Sequence, residues 1–248
     1  MPKTLTALVC LTALVAVLTT LVAAETAAPA DSKARSCYWV FLNKGAGRGK
    51  LAGMPKEQVG KMQSDHVGNL GVLYQQGRSV AAGPLGDDGF IRGIVVLTVA
   101  TPEAVKDCFK ADPFVQQDIL AVEAYRWLAD PSKFQKPEDP FRLGKHTLAI
   151  VKKGKNFEPP KGEFTSQTLL ALLPALGPMA RSGELVVSGP LLDAGDLVGI
   201  LLFVSADSTT IKAALEADPA VKNGRLAIEL HPQFMGAGVL RKPESAGQ

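Results

Sequence analysis

Apolar and polar positions along this chain follow two rhythms, short β-prone runs and longer helical stripes, and the same succession of rhythms occurs twice. Residues 38–44 form an apolar, β-prone run. A helix is predicted over about 56–76, entered through Pro55 and ended by Gly77, which suits the residue just past a helix. Residues 79–82 and 92–100 read as strands around the turn-rich GPLGDDG, a hairpin signal. Thr101 is placed to cap a short helix with Pro102 in its first position and Val105, Cys108 and Phe109 on one apolar stripe. Pro113 is expected to stop that helix, and 119–128 closes the unit as a strand. The second succession predicts strands at 147–153, 184–188, 197–204 and 225–231, with helices at 165–182 and 208–216.

The recurrence extends to residue identities. Gly77 to Glu123 aligns without a gap on Gly183 to Glu229 at a constant offset of 106, with 18 of 47 positions identical, Gly-Pro-Leu and Ala-Asp-Pro among them. The opening strands YWVFLNKG and HTLAIVKKG match at an offset of 109, so the first copy has three more residues between strand and helix. Each copy reads as strand, helix, strand, strand, helix, strand. That βαββαβ order is the ferredoxin-like pattern, an antiparallel sheet with both helices on one face. The open face of such a sheet must be covered. The expected fold is therefore α+β: tandem ferredoxin-like domains forming a pseudo-dimer with facing antiparallel sheets. The domains are expected at 37–128 and 145–233, with a Pro- and charge-rich linker at 129–144 lying outside. Residues 25–36 and the chain after about Gly236, within a C-terminal tail at 234–248, are expected to be disordered.

The N-terminus changes the picture most. Lys3 precedes an apolar run from Leu5 to Val22, and Val22 and Ala24 occupy the positions read by signal peptidase. Residues 1–24 are thus expected to be a signal peptide cleaved after Ala24, giving a secreted or periplasmic protein with no membrane contact after cleavage. A retained anchor is the alternative, because the run approaches spanning length. Cleavage would leave Cys37 and Cys108, which do not make a disulfide framework and lack metal-ligand spacing, although a single Cys37–Cys108 bond stays open. The net charge of +3 and the absence of a Lys/Arg run exclude nucleic acid as a first choice of partner.

Candidate chemistry is sparse. Arg92 borders the GDDG turn, where it can hold an anionic substrate group or be a solvated strand-end charge. Gly83 and Pro84 are candidate substrate-binding positions, yet they recur as Gly189 and Pro190, which suits a close backbone approach. GAGRGK (45–50) lacks the spacing of a phosphate loop and is expected to be a mobile basic loop. His146 and His231 fall at predicted strand ends without partners at ligand spacing, so neither a metal nor a cofactor is expected.

In sum of motifs, HVGNLGVLYQQG, AAGPL, IRGIVVL and ADPF in the first copy, and VSGPL, VGILLF and EADPAVKNGRLAIELHP in the second, the chain resembles the YCII-related family of small ferredoxin-like domains that usually dimerise. The resemblance covers roughly 38–128 and 146–233. It implies a catalytic pair at His66 and Asp112 in a small-molecule pocket, with relatives that include a dehydrochlorinase and a fold similar to muconolactone isomerase. An imidazole oriented by a carboxylate is a general acid or base. The second copy keeps Asp218 but has Leu172 in place of His66 and Val198 in place of Arg92, so it is at most a supporting half. Two functions compete: proton-transfer catalysis of an isomerase, lyase or dehalogenase kind, and a non-catalytic ligand-binding or scaffold role. They part on whether His66 and Asp112 meet within hydrogen-bond reach in one concave pocket. Assembly beyond the internal pseudo-dimer stays open.

Overall fold

The computed structural model describes residues 37–240. The expected signal peptide, the segment 25–36 and the last eight residues lie outside the described residues. Strand β1 (Cys37–Lys44) is buried over almost its whole length, as a continuous apolar run requires when both faces of a strand are covered. Its side chains divide by parity. Trp39 and Phe41 enter a core between the sheets, whereas Tyr38, Val40 and Leu42 enter a second core beneath the helices.

Helix α1 (Lys56–Gln75) buries Met62, His66 and Leu73, and Gly77 follows it at φ +66°. Strands β2 (Ser79–Pro84) and β3 (Ile91–Leu97) form the hairpin. At α2 (Pro102–Phe109) the Thr101 hydroxyl accepts the Ala104 N–H at 3.2 Å. Pro113 does not merely stop that helix. It opens a further turn, α3 (Pro113–Gln116), capped by Asp112, because proline needs no donor at a first helical position. Strand β4 (Leu120–Trp127) then pairs antiparallel with β1.

The second half runs β5 (Leu143–Lys153), α4 (Ser166–Ala171), α5 (Gly177–Ser182), β6 (Leu185–Leu192), β7 (Leu197–Phe203), α6 (Ser208–Ala217), α7 (Pro219–Lys222) and β8 (Leu226–Gly236). The helix expected over 165–182 is broken into α4, a 3₁₀ turn at Pro174–Leu176 and α5. Pro174 supplies no N–H and disfavours helical backbone before it, and Pro178 opens the next segment. Strand β8 continues past His231 to Gly236, and Val239 and Leu240 are buried. The strand ends at Gly236, where disorder is expected to begin, but the packed chain reaches at least Leu240. The linker is not wholly external either, since Ala129 and Phe134 are buried and Phe134 bridges Leu240.

The strands form one eight-stranded sheet in the order β2-β3-β1-β4-β6-β7-β5-β8, whose halves β2-β3-β1-β4 and β6-β7-β5-β8 are the two sheets on either side of the shared core. Strand β4 meets β6 through Arg126↔Leu192 and Trp127↔Leu191. At the other end, Leu85 bridges Gln233 and the Gly86 N–H donates to Pro232 O at 2.7 Å. The core between the sheets draws Trp39, Phe41, Ile94 and Trp127 from the first half and Leu148, Ile150, Leu202 and Met235 from the second. Cys37 lies in this core and Cys108 in the helix-side core of the first half, so they do not form a disulfide. Burial and the Asp130 carboxylate push the Cys37 thiol up to about 11. No helix of the described residues is long and apolar enough to cross a membrane.

Candidate functional site

His66 and Asp112 are brought together. His66 is carried on the inner stripe of α1 and Asp112 stands at the start of α3, and Nδ1 and Oδ2 are 2.6 Å apart. Asp112 is fully buried and His66 is 8% exposed. The other carboxylate oxygen, Oδ1, accepts the N–H groups of Phe114 at 3.0 Å and Val115 at 3.4 Å. A carboxylate surrounded by donors accepts rather than donates, so the bridging proton is assigned to Nδ1 and the basic nitrogen is Nε2. The Phe114 ring packs on the imidazole with centroids 5.5 Å apart, which fixes the ring plane further.

The second half repeats the carboxylate without the imidazole. Asp218 caps α7 through Ala220 N–H at 2.8 Å, and its Oδ2 accepts the Ala175 N–H at 2.9 Å. The break at Pro174 thus brings a backbone donor to the oxygen that takes the imidazole in the first half. Both aspartates are fully buried, and each has both oxygens satisfied.

The remaining expected site residues go elsewhere. Arg92 donates to Asp87 O at 2.6 Å and stands 3.5 Å from the Asp88 carboxylate, which makes it part of the β2–β3 turn. The carbonyls of Gly83 and Pro84 accept from Gln233 Nε2 on β8 at 3.1 and 3.3 Å. A Cβ at Gly83 would lie 1.8 Å from Phe234 O, so the glycine serves the approach of two strands. The matching Gly189 O accepts the Trp127 indole N–H at 3.0 Å, and Trp127 and Gln233 are themselves partners at the repeat offset. The GAGRGK segment is no open loop: a 3₁₀ helix spans Ala46–Gly53, with Gly47 N–H on Asp118 O at 2.8 Å and Lys50 Nζ on Gln117 O at 3.0 Å.

Two cavities among the described residues bear on these side chains. One of about 750 Å³ lies on the helix side of the first sheet, between α2, α3 and β4, with Val105, Phe109, Val122 and Tyr38 on its wall. The second, of about 430 Å³, opens between the sheets beside the β6–β7 turn. His66 lines neither, although Val115 and Gln116 of the turn capped by Asp112 border the larger one.

A polar cluster at the open end of the intersheet space escaped the sequence reading. Glu123 accepts from Asn43 Nδ2 at 2.8 Å and from the Tyr125 hydroxyl. Glu229, its partner at the repeat offset, pairs with Lys152 and lies 3.4 Å from His231 Nε2. His231 Nδ1 meets Asp87 Oδ2 at 2.7 Å, a second His/Asp contact that joins the two halves. Burial is the largest influence on Asp87 and acts upward, but the His231 hydrogen bond, the Gly89 N–H and the charges of His231 and Arg92 outweigh it and hold the carboxyl below its usual value. Burial first, then the Glu123 carboxylate, push the Tyr125 phenol up to about 12. His146, on β5, is buried, which pushes its imidazole down against an opposing backbone contact at Val204. The available signal for the cluster was Glu123 recurring as Glu229 on the inward parity of the last strand of each copy.

Residues 38–128 match the family model of the YCII-related domain. No match to the chain is found among curated proteins. Among solved structures, a heme-binding protein from Thermus thermophilus is 14% identical, with 82% of this chain and 90% of that one covered at a TM-score of 0.47. A candidate monooxygenase from Lactobacillus acidophilus is 12% identical, with 82% and 96% covered at a TM-score of 0.45.

Proposed function

With residues 38–128 a YCII-related domain, we propose that this chain is an exported small-molecule protein in which His66 moves a proton and the second half is a supporting copy. The 2.6 Å contact of Nδ1 with Asp112 carries the reading; the pocket half of the criterion is not met by either cavity described, since His66 lines neither. Asp112 keeps the ring proton on Nδ1 and leaves the Nε2 lone pair as the base. A substrate C–H or O–H proton passes to Nε2, the buried carboxylate steadies the resulting imidazolium, and the same proton returns to a different substrate atom or to a leaving group. That cycle fits an isomerase-, lyase- or dehalogenase-like step and needs no external oxidant or reductant. The two halves are read as a tandem repeat, an internal pseudo-dimer about a pseudo-two-fold axis. The pairing of β4 with β6 and the contact of β8 with β2 support it, because the two contacts map onto each other at the repeat offset, Trp127↔Leu191 onto Gln233↔Leu85.

A second reading, a non-catalytic binding or scaffold protein, draws on Asp218. That residue holds the same cap and spends its second oxygen on a backbone N–H, so the carboxylate has a structural use that needs no imidazole. The test is solvent-deuterium incorporation, followed by NMR, into a panel of lactones and of unsaturated and chlorinated carboxylic acids. Exchange by the wild type should fall about 10²- to 10⁴-fold in His66→Gln, the usual contribution of general acid–base catalysis. Exchange that survives His66→Gln removes the proton-transfer role and leaves the binding reading.

A further inference from the structure

We propose that the cavity between the sheets, beside the β6–β7 turn, is a binding site for a small organic amine. It is separate from the His66–Asp112 contact and independent of what His66 does. Three observations converge on it.

The first is an unsatisfied acceptor. Asn43 lines the cavity, is 4% exposed, and its Oδ1 takes no hydrogen bond. Its amide orientation is fixed chemically: Nδ2 donates to Glu123 Oε2, and a carboxylate accepts only. What Asn43 offers the cavity is therefore a carbonyl oxygen. A buried acceptor without a donor is costly, so the group that completes it brings N–H or O–H.

The second is charge. The wall carries the carboxylates of Glu123, Asp193 and Asp196 against a single ammonium, Lys152, which is already paired with Glu229. Asp193 and Asp196 are exposed at the mouth, where their field draws a cation inward. Phe41, Ile150 and Leu197 supply apolar wall for the body of the ligand.

The third is asymmetry between the halves. Asp87 and His231 have Asp193 and Tyr125 as their equivalents at the repeat offset. Asp87 and His231 close on one another at 2.7 Å. Tyr125 instead turns its hydroxyl to Glu123, and both Asp193 and Tyr125 line the cavity. The space is the gap that the latch of one side fills and the other leaves open. An ammonium group placed there would donate to Asn43 Oδ1 and to the Glu123 carboxylate together.

The test titrates the full mature chain with n-butylamine, phenethylamine and agmatine by calorimetry, with 3-phenylpropionate and 2-phenylethanol as anionic and neutral controls. The Asn43 side-chain amide is followed by NMR. Saturable binding of at least one amine is expected, with the Asn43 amide shifting, 3-phenylpropionate silent, and Glu123→Gln binding about tenfold or more weaker. Asn43→Leu should act alike; should it fail to fold, Glu123→Gln, at an exposed strand position, decides alone. Failure of all three amines, binding of the carboxylate as tight as that of the amine, an unmoved Asn43 amide, or full affinity in Glu123→Gln would each overturn the assignment and leave water as the partner of Asn43.

Discussion

Substituting Gly83 by alanine tests how the two halves are held edge to edge. The new Cβ would stand 1.8 Å from Phe234 O and 2.9 Å from the carbonyl carbon. Ordinary contacts begin near ~3.5 Å, so β2 and β8 must part by more than an ångström. That separation breaks the Gln233 amide bond to Gly83 O at 3.1 Å and the Gly86 N–H bond to Pro232 O at 2.7 Å. The two hydrogen bonds are worth about 1 kcal/mol each, and overpacking adds about 1–3 kcal/mol. The expected loss is about 3–5 kcal/mol, a fall in melting temperature on the order of 10 °C for a chain of this size. The comparison is Gly60→Ala, in α1, where nothing lies within 4 Å of the added Cβ. Replacing a mid-helix glycine there should stabilise by up to about 1 kcal/mol. The two substitutions should move urea or thermal unfolding in opposite directions. A Gly83→Ala protein as stable as wild type would refute the close approach of β2 to β8.

Two further predictions concern the intersheet end and the N-terminus. Because the folded state raises the Tyr125 phenol to about 12, it binds a proton that the unfolded chain releases near ~10. This contribution to stability is complete below ~10 and is lost as pH rises through the folded value. Absorbance titration at alkaline pH should show one of the three tyrosines ionising late, and Glu123→Gln should bring it earlier; an unchanged curve in the variant contradicts the contact. N-terminal sequencing of the protein recovered from the envelope or medium should begin near Glu25, and an intact Met1 in a membrane fraction would contradict export.

What could be read from the sequence was mostly local or repeated. Thr101 and Pro102 announce α2, Gly77 ends α1, and each expected strand is present with shifted ends. The break at Pro174 is written in the sequence too, but the repeat by itself favours the unbroken helix of the first copy. His66 and Asp112 were named through a family resemblance, and their contact joins elements 46 residues apart. The Asp87–His231 contact spans 144 residues and carries no local signal. Only the repeat offset combined with strand parity would have placed those side chains in one space. Gly83 and Pro84 were legible as a close approach, but the partner strand was not, because edge pairing between halves depends on tertiary geometry rather than on pattern.

The orientation of the His66 imidazole is the claim on which the proposed chemistry stands. Long-range ¹H–¹⁵N correlation NMR at about pH 9, above the ordinary imidazole range, reports which ring nitrogen of the neutral ring carries the proton. The account predicts that His66 is the Nδ1–H tautomer with a bare Nε2, and that Asp112→Ala releases this preference. An Nε2–H tautomer in the wild type, or a tautomer indifferent to the loss of Asp112, would contradict it.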